Sequence, residues 1–170
     1  RDEDYTRKRA YMTDGQRFLD GRRDVLHFVS APMADSMRLV GPVTPELYVS
    51  VSGTDADFVV KVIDVAPDGS EMLVRGDIFR GRYRSGFDKP RPFIPGEIET
   101  VRFTMPDIAH TFLPGHRMKV QVQSSWFPLF DMNPQQFVDI YKATRSDFVP
   151  AEIRVWHSAE HPSRIIFGKD

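Results

Sequence analysis

The five histidines are the first candidates for chemistry, because the chain has no cysteine to serve as a nucleophile or a thiolate ligand. His110 and His116 flank a Pro-Gly turn, so the two rings can approach each other and a carboxylate could complete a metal site. His157 and His161 have helical metal-site spacing, but they follow a predicted strand and precede Pro162. The pattern favours structural histidines over a metal centre.

A serine nucleophile of the α/β-hydrolase type needs a Gly-x-Ser-x-Gly turn that exposes its hydroxyl group. No such pentad occurs in the 170 residues, and the segment "VSGTD" at 51–55 lacks the first glycine. The sequence therefore assigns no catalytic residue, and we expect the chain alone to be inactive as a hydrolase.

Two acids, Asp55 and Asp57, straddle one residue at the entrance of a predicted strand. They either cap a turn or contribute to a calcium site, but calcium takes roughly six or more oxygen ligands and this stretch offers few. We expect turn capping, and no metal or other cofactor is assigned.

Three arginines, Arg80, Arg82 and Arg84, alternate with other residues in "GDIFRGRYR" at 76–84. If this segment is one strand, the three side chains lie on the same face. They then form either an anion site or, as we favour, ion pairs. The expected partners are carboxylates such as Asp57, Asp64 or Asp77.

The block "WFPLF" at 126–130 follows an alternating strand and precedes Asp131. Strands usually end in small polar turn residues, so this block is either a binding site or a corner of the core. Aromatic rings bury large areas, so the cluster can seal the end of a sandwich or contact a neighbour. Asp131 is expected to cap the turn or to pair with Arg117 or Arg102.

Apolar side chains recur with period two in short runs, and turn signals rich in the 13 prolines and 11 glycines separate them. This pattern predicts an all-β, mostly antiparallel sandwich with little helix. The absence of a cysteine pair favours a jelly roll over an immunoglobulin-like fold. The predicted strands cover 25–30, 46–51, 57–65, 99–105, 117–124, 152–157 and 163–168, and the one helical candidate covers 133–141.

Charge and composition predict two regions in the chain and argue against some classes of partner. Residues 1–24 carry mixed charges without an apolar period, which predicts an arm or linker before a sandwich domain at 25–170. A net charge of −1 argues against nucleic acid as a partner. No run approaches the roughly 18 apolar residues of a membrane-spanning helix, so no membrane partner is expected.

Three long segments, at 52–69, 76–90 and 110–135, resemble the C-terminal non-catalytic domain of the cocaine esterase / X-prolyl dipeptidyl-peptidase family of serine hydrolases. The opening "DGQRFLDGRRDVLHFVSAPM" and the closing "VWHSAEHPSRI" fit its α-amino-acid ester hydrolase and glutaryl-7-aminocephalosporanic acid acylase branch. The resemblance extends from about residue 11 to residue 168 and implies a galactose-binding-like jelly roll.

The resemblance also implies partners. In the family, an upstream α/β-hydrolase domain carries the Ser-Asp-His triad, so no triad residue maps onto this chain. The implied parent is a bacterial hydrolase of acyl esters, amides or X-Pro dipeptides, either periplasmic or secreted, as in the exported members of the branch, or cytoplasmic. This chain would pack on the catalytic domain, shape the substrate cleft and support homo-oligomer contacts. The residues predicted to make interdomain or cleft contacts are Trp126, Phe127, Phe130, Asp131, Arg80 and Arg82.

A rival hypothesis comes from another functional class. Jelly rolls often bind sugars by stacking them on exposed aromatic rings, and Trp126, Trp156 and Tyr83 could serve in that way. The chain would then be a free-standing carbohydrate-binding module. Fold analogy alone is weak support for such a function, and exposure of the tryptophans discriminates between the two.

Overall fold

A computed structural model describes residues 15–168. These residues form nine strands and a few short 3-10 turns, and no α-helix occurs among them. Within the same range, no helix is long and apolar enough to cross a membrane. The strands are β1 (Val25–Val29), β2 (Met37–Val51), β3 (Asp57–Val65), β4 (Glu71–Arg80), β5 (Glu99–Arg102), β6 (Met105–Phe112), β7 (Arg117–Gln123), β8 (Ile153–Trp156) and β9 (Arg164–Phe167).

The strands form two antiparallel sheets. The first, sheet A, has the order β1-β7-β3-β4. The second, sheet B, is built around the long strand β2, where Tyr48 pairs with Thr100 of β5 on one side and with Trp156 of β8 on the other. In the same way Val43 pairs with Met105 of β6 and with Phe167 of β9. The all-β, antiparallel prediction is confirmed, whereas the jelly-roll connectivity stays a prediction.

The core lies between the sheets and follows from the period-two alternation of β3. Phe58, Val60 and Val62 point towards sheet B and are fully buried there. Val59 and Ile63 point to the outer face of sheet A, where a second, smaller apolar cluster covers them. Strand β3 is therefore buried on both faces, which explains why apolar residues occupy both of its phases.

Strand β2 is longer than its sequence predicts. The predicted strand at 46–51 extends back to Met37, so Pro42 and Pro45, a residue type typical of turns, both lie inside β2. The register shifts between Gly41 and Val43, and Gly41 has a φ of 109°, a conformation that favours glycine. A bulge at this point lets the strand continue past Pro42, whose missing N–H would otherwise interrupt the ladder.

The segment just before β1 packs on the outer face of sheet A. Gln16 and Leu19 are buried, and Asp20 accepts a hydrogen bond from Lys119 Nζ at 2.7 Å. Residues 1–14 of the predicted arm lie outside the described part of the chain. The division at residue 24 therefore stays a prediction.

The helical candidate at 133–141 is wrong. Residues 135–138 form bends, and a short 3-10 turn at Ile140–Lys142 overlaps the end of the segment. Gln135 has a φ of 64°, which a right-handed helix does not allow. The Gln135 carbonyl accepts the backbone N–H groups of Thr54 and Asp55, so it is committed to a contact outside the segment.

Candidate interdomain site at the corner of the sandwich

The aromatic block begins where β7 leaves sheet A, and its first ring turns inwards. Trp126 is only 3% exposed and packs on Val59, Ile63 and Leu73, so it belongs to the core. A Cβ at Gly76 would lie 2.6 Å from the far edge of the Trp126 ring. Glycine at position 76 is therefore needed for this ring to lie flat on the sheet.

The rest of the block turns outwards. Phe127 is 58% exposed and Phe130 is 37% exposed, and the Phe130 ring lies 5.9 Å from that of Trp126. The peptide bond between Phe127 and Pro128 is cis. The block thus combines a buried anchor with exposed apolar rings, a combination found where one protein surface docks on another.

A lysine lies beneath the anchor ring. Lys61, in the middle of β3, is fully buried, and its Nζ atom is 4.7 Å from the centre of the Trp126 ring. It donates a hydrogen bond of 2.7 Å to Gln16 Oε1. No carboxylate among residues 15–168 forms an ion pair with it. Burial, with a smaller effect of the Arg22 charge, lowers the pKa of Lys61 to about 8.

The loop after the block is anchored by a buried amide. Asn133 Nδ2 donates to Asp55 Oδ2 at 3.0 Å and to Asp57 Oδ1 at 2.8 Å. Arg82 Nε donates to Asp55 Oδ2 at 2.8 Å, and Arg80 pairs with Asp57 at 3.3 Å. The sequence predicted that both acids cap a turn, and this prediction is wrong. Both acids are buried and bind cationic and amide donors within the core.

Burial changes the pKa of one acid in this network. Burial raises the pKa of Asp57 to about 6, although the Asn133 hydrogen bond and the Arg80 charge oppose that shift. The Oδ1 atom of Asp55 is buried without a hydrogen-bond partner in the described part of the chain. The Asp55 carboxylate is held through its other oxygen, Oδ2, which accepts from both Asn133 and Arg82.

The predicted arginine stripe is only partly correct. Strand β4 ends at Arg80, and a 3-10 turn at Gly81–Tyr83 follows, so the three arginines do not share one strand face. The ion pairing of Arg80 with Asp57 is confirmed. Arg84 pairs with Glu99 at 2.7 Å and its guanidinium stacks 3.8 Å from the centre of the Phe93 ring.

The two other predicted acids have different partners. Asp64 binds both His110 and His116, with Nε2 and Nδ1 each 2.8 Å from a carboxylate oxygen. Asp77 accepts the backbone N–H of Ile78 at 2.7 Å. The two histidines therefore do approach each other, but through one carboxylate. Across residues 15–168, no group of three or more His, Asp or Glu residues could hold a metal ion.

The structure also gives the positions of Asp131 and of Trp126, one of the three proposed sugar-stacking residues. Asp131 is exposed at the corner, whereas its predicted partners are engaged elsewhere: Arg102 with Glu46 and Arg117 with the Ser30 carbonyl. Trp126 is buried and cannot stack on a sugar. The rival hypothesis therefore loses the first of its three platforms.

Beside the corner is a cavity of about 250 Å³ with a mixed lining. Phe18, Phe127 and Met132 are the exposed apolar members of its lining, with exposed fractions of 57%, 58% and 46%. Lys61 and Trp126 also line it. The corner is thus an apolar surface around a partly polar depression. Sequence reasoning missed Lys61 and Asn133, and the one available signal for Lys61 was a charge at the centre of an apolar strand.

Comparison with known proteins gives a consistent result. A family model described as the X-Pro dipeptidyl-peptidase C-terminal non-catalytic domain matches residues 7–166. Among curated proteins, a cocaine esterase of Rhodococcus sp. (strain MB1 Bresler) is 37% identical over 151 residues, covering 89% of this chain and 26% of the relative. A putative serine esterase of Mycobacterium tuberculosis (strain CDC 1551 / Oshkosh) is 24% identical over 158 residues, covering 83% and 23%.

Solved structures agree in fold. An aminopeptidase from a marine sediment Thaumarchaeota archaeon superposes with a TM-score of 0.89 at 44% identity, covering 92% of this chain and 27% of that one. An α-amino acid ester hydrolase superposes with a TM-score of 0.91 at 43% identity, covering 94% and 28%. The chain spans about a quarter of the length of the relatives it matches.

Proposed function

The chain belongs to the family of X-Pro dipeptidyl-peptidase C-terminal non-catalytic domains, and from that premise we propose that it packs on an upstream α/β-hydrolase domain and shapes the substrate cleft of a larger serine hydrolase. The aromatic corner is the proposed contact surface. The chain contributes no attacking side chain of its own and acts by positioning.

The observation that supports this proposal is that the corner places the exposed rings of Phe127 and Phe130 directly beside the buried ring of Trp126. Trp126 and Asn133 fix the two ends of the loop in buried sites, so Phe127 and Phe130 are held in place at little further entropic cost. A rigid apolar surface of this kind is well suited to a permanent interdomain contact. Arg80 and Arg82 support it from beneath through their ion pairs with Asp57 and Asp55.

The parent reaction is proposed from the relatives. Their names describe an esterase, an aminopeptidase and an ester hydrolase of α-amino acids, which all cleave a carbonyl-linked ester or amide. In the resembled family, a serine in the upstream domain forms an acyl-enzyme that water then hydrolyses. We assign no step of this chemistry to the present chain. Homo-oligomer contacts are a further proposed role of its surface.

The test compares two exposed phenylalanines in the whole parent protein. Phe127→Ser at the corner is expected to lower kcat/KM at least about tenfold, because a loosened domain misplaces the cleft wall. Phe87→Ser, whose ring is 79% exposed away from the corner cavity, is the matched control and should leave kcat/KM within about twofold. Equal behaviour of the two variants would refute the corner as the contact surface.

A second experiment addresses the absence of catalysis in this chain. The 170-residue polypeptide is assayed with p-nitrophenyl esters beside buffer alone. We expect the same rate in both, because no nucleophile elbow exists in the sequence. Turnover well above the buffer rate would place a catalytic group in this chain and contradict the proposal.

A further inference from the structure

One side of the sandwich is closed by direct contact between the sheets. In sheet B, β5 and β6 pair end to end with the same edge of β2 and so share one strand position, which we call a lane. Strand β4, an edge of sheet A, lies against this lane. The Phe79 ring stacks on the Phe103 ring with centroids 5.0 Å apart and planes 7° from parallel. Arg75 Nη2 also donates to the Asp107 carbonyl at 2.6 Å. This side therefore leaves little inner surface in contact with solvent.

The opposite side is open although its residues point inwards. In strand β1, Leu26 pairs with Val122 and Phe28 pairs with Val120. Directly paired residues of an antiparallel sheet share a face, and Val122 lies in the core, so both β1 side chains face the interior of the sandwich. They are nevertheless 39% and 43% exposed. Within residues 15–168, the one aromatic contact on them is the His157 ring, which meets the edge of the Phe28 ring at 6.3 Å and leaves it 43% exposed.

The cause is an unequal number of strands in the two layers. Sheet A has four lanes, β4, β3, β7 and β1, whereas sheet B has three, namely β5 with β6, β2, and β8 with β9. The closed side matches β4 with β6, so β1 is left without a partner lane opposite. Sheet B therefore offers one strand position fewer than sheet A, and the position that it lacks is the one opposite β1.

A groove occupies the position of the missing lane. Two adjacent cavities of about 320 and 380 Å³ share Val122 and Val155 in their linings, so they form one groove along the open side. Leu26 lies in the first cavity, and Phe28 and Ile165 lie in the second. No described strand pairs with the outer edge of β8 or β9, and a free edge of this kind is a template for a further strand.

We propose that an extended segment of the parent polypeptide, upstream of this chain, pairs with the free edge of β8 and β9 and covers Leu26 and Phe28. Such a strand carries apolar side chains at every second position on its inward face. This inference rests on the proposed function, because it requires the larger parent. The relatives support the choice of occupant, since this chain covers only 26% and 28% of two of them and its family is named as a C-terminal domain. Residues 1–14 are less suitable, because their charges leave no apolar alternation.

Hydrogen exchange of the whole parent protein tests the inference. Amides of β8 and β9 that face away from β2 should exchange at least about 100-fold more slowly than unprotected amides, because a paired edge exchanges only by opening. Exchange at the unprotected rate would overturn the proposal. Protection that disappears on dilution would also overturn it, because it would identify a second copy as the occupant.

Two matched variants of the parent locate the contact. Phe28→Asp places a charge under the proposed strand and should reduce the protection of β8 and β9 at least about tenfold. Phe87→Asp, at a 79% exposed ring outside the groove, should leave that protection unchanged. If both variants retain protection, the strand does not cover Phe28 and the proposal is wrong.

The two proposals fail separately. If the edge of β8 and β9 exchanges freely while Phe127→Ser still lowers kcat/KM, the added strand is wrong and the corner contact stands. If Phe28→Asp fails to fold, the exchange rates of the unmodified parent still decide the question.

Discussion

The two sides of the sandwich contain similar residues in different surroundings. On the closed side, Phe103 is 8% exposed because the Phe79 ring stacks on it. On the open side, Phe28 points into the same interior but is 43% exposed. The difference comes from the number of strands in the opposing sheet and not from the residue type. Exposure of an inward-facing ring thus indicates a missing neighbour.

The charged residues show the same contrast. Glu99, on the closed side, pairs with Arg84, whose side chain is 1% exposed, and with Arg91. Glu152, at the open groove, pairs with Arg154, and both side chains are more than 60% exposed. Removing one partner of an ion pair costs most where the remaining charge cannot reach water, and little where the pair is exposed. The isolated chain should therefore be more sensitive to loss of a charge on the closed side than on the open side.

The largest expected effect compares the two rings directly. Phe103→Ala should lower the free energy of unfolding by about 4 kcal/mol, because it leaves a cavity in a closed core. Phe28→Ala should cost less than about 1 kcal/mol in the isolated chain, since much of the ring already contacts water. Urea denaturation measures both. Equal losses would remove the distinction between the two sides.

The second comparison uses the two glutamates. Glu99→Gln should cost about 3 kcal/mol, because it leaves the buried Arg84 charge without its carboxylate. Glu152→Gln should change the free energy of unfolding by less than about 0.5 kcal/mol, since its pair is exposed. The same denaturation experiment applies. A small effect at position 99 would show that the closed side is not held by this ion pair.

A titration sharpens the comparison at the buried end of the open groove, where Asp57 lies. Burial raises the pKa of Asp57 from 3.8 to about 6, so the folded chain holds this proton more tightly than the unfolded chain. Its contribution to stability is therefore complete below pH 4 and is lost as the pH rises to 6. Asp57→Asn removes this dependence, so the wild type should lose on the order of 2 kcal/mol relative to the variant between pH 4 and pH 7. Parallel stability curves would contradict the raised pKa.

The smallest expected effect concerns Lys61, on the outer face of sheet A, which the corner loop of this chain covers. Burial lowers the pKa of Lys61 to about 8, so the unfolded chain holds this proton more tightly and the cost is complete below pH 8. Lys61→Met should therefore stabilise the chain by about 1 kcal/mol at pH 7, and the gain should shrink as the pH rises towards 10.5.

A neighbouring lysine is the control for that prediction. Lys119 is also buried but pairs with Glu71 at 2.8 Å and with Asp20 at 2.7 Å. Lys119→Met should destabilise the chain at pH 7, because it leaves the buried Glu71 carboxylate unpaired. If both variants shift stability in the same direction, the absence of a carboxylate beside Lys61 has no energetic consequence.

The sequence predicted the central strand β3 correctly, and it failed where the sheet overrides a local turn signal. The predicted run at 57–65 coincides with β3, because its two apolar phases match its two buried faces. The prolines at 42 and 45 suggested a turn, but the bulge after Gly41 keeps them in β2. These errors arise from contacts distant in the sequence, which period and propensity do not report.

The candidate site was predicted only in part, because some of its contacts are also distant in the sequence. The block at 126–130 was identified as either core or contact, and it is divided between a buried Trp126 and exposed rings at Phe127 and Phe130. Its anchor, Asn133, gave no local signal, because its partners Asp55 and Asp57 are about 80 residues away in the sequence. The open groove likewise depends on counting lanes in two sheets, which needs the topology.

The most direct test of the account is a crystal structure of the whole parent protein. The account predicts an upstream segment within hydrogen-bonding distance of the β8 and β9 backbone, with apolar side chains on Leu26 and Phe28. A structure in which that groove lies open to solvent, with both residues as exposed as they are in the isolated chain, would contradict it.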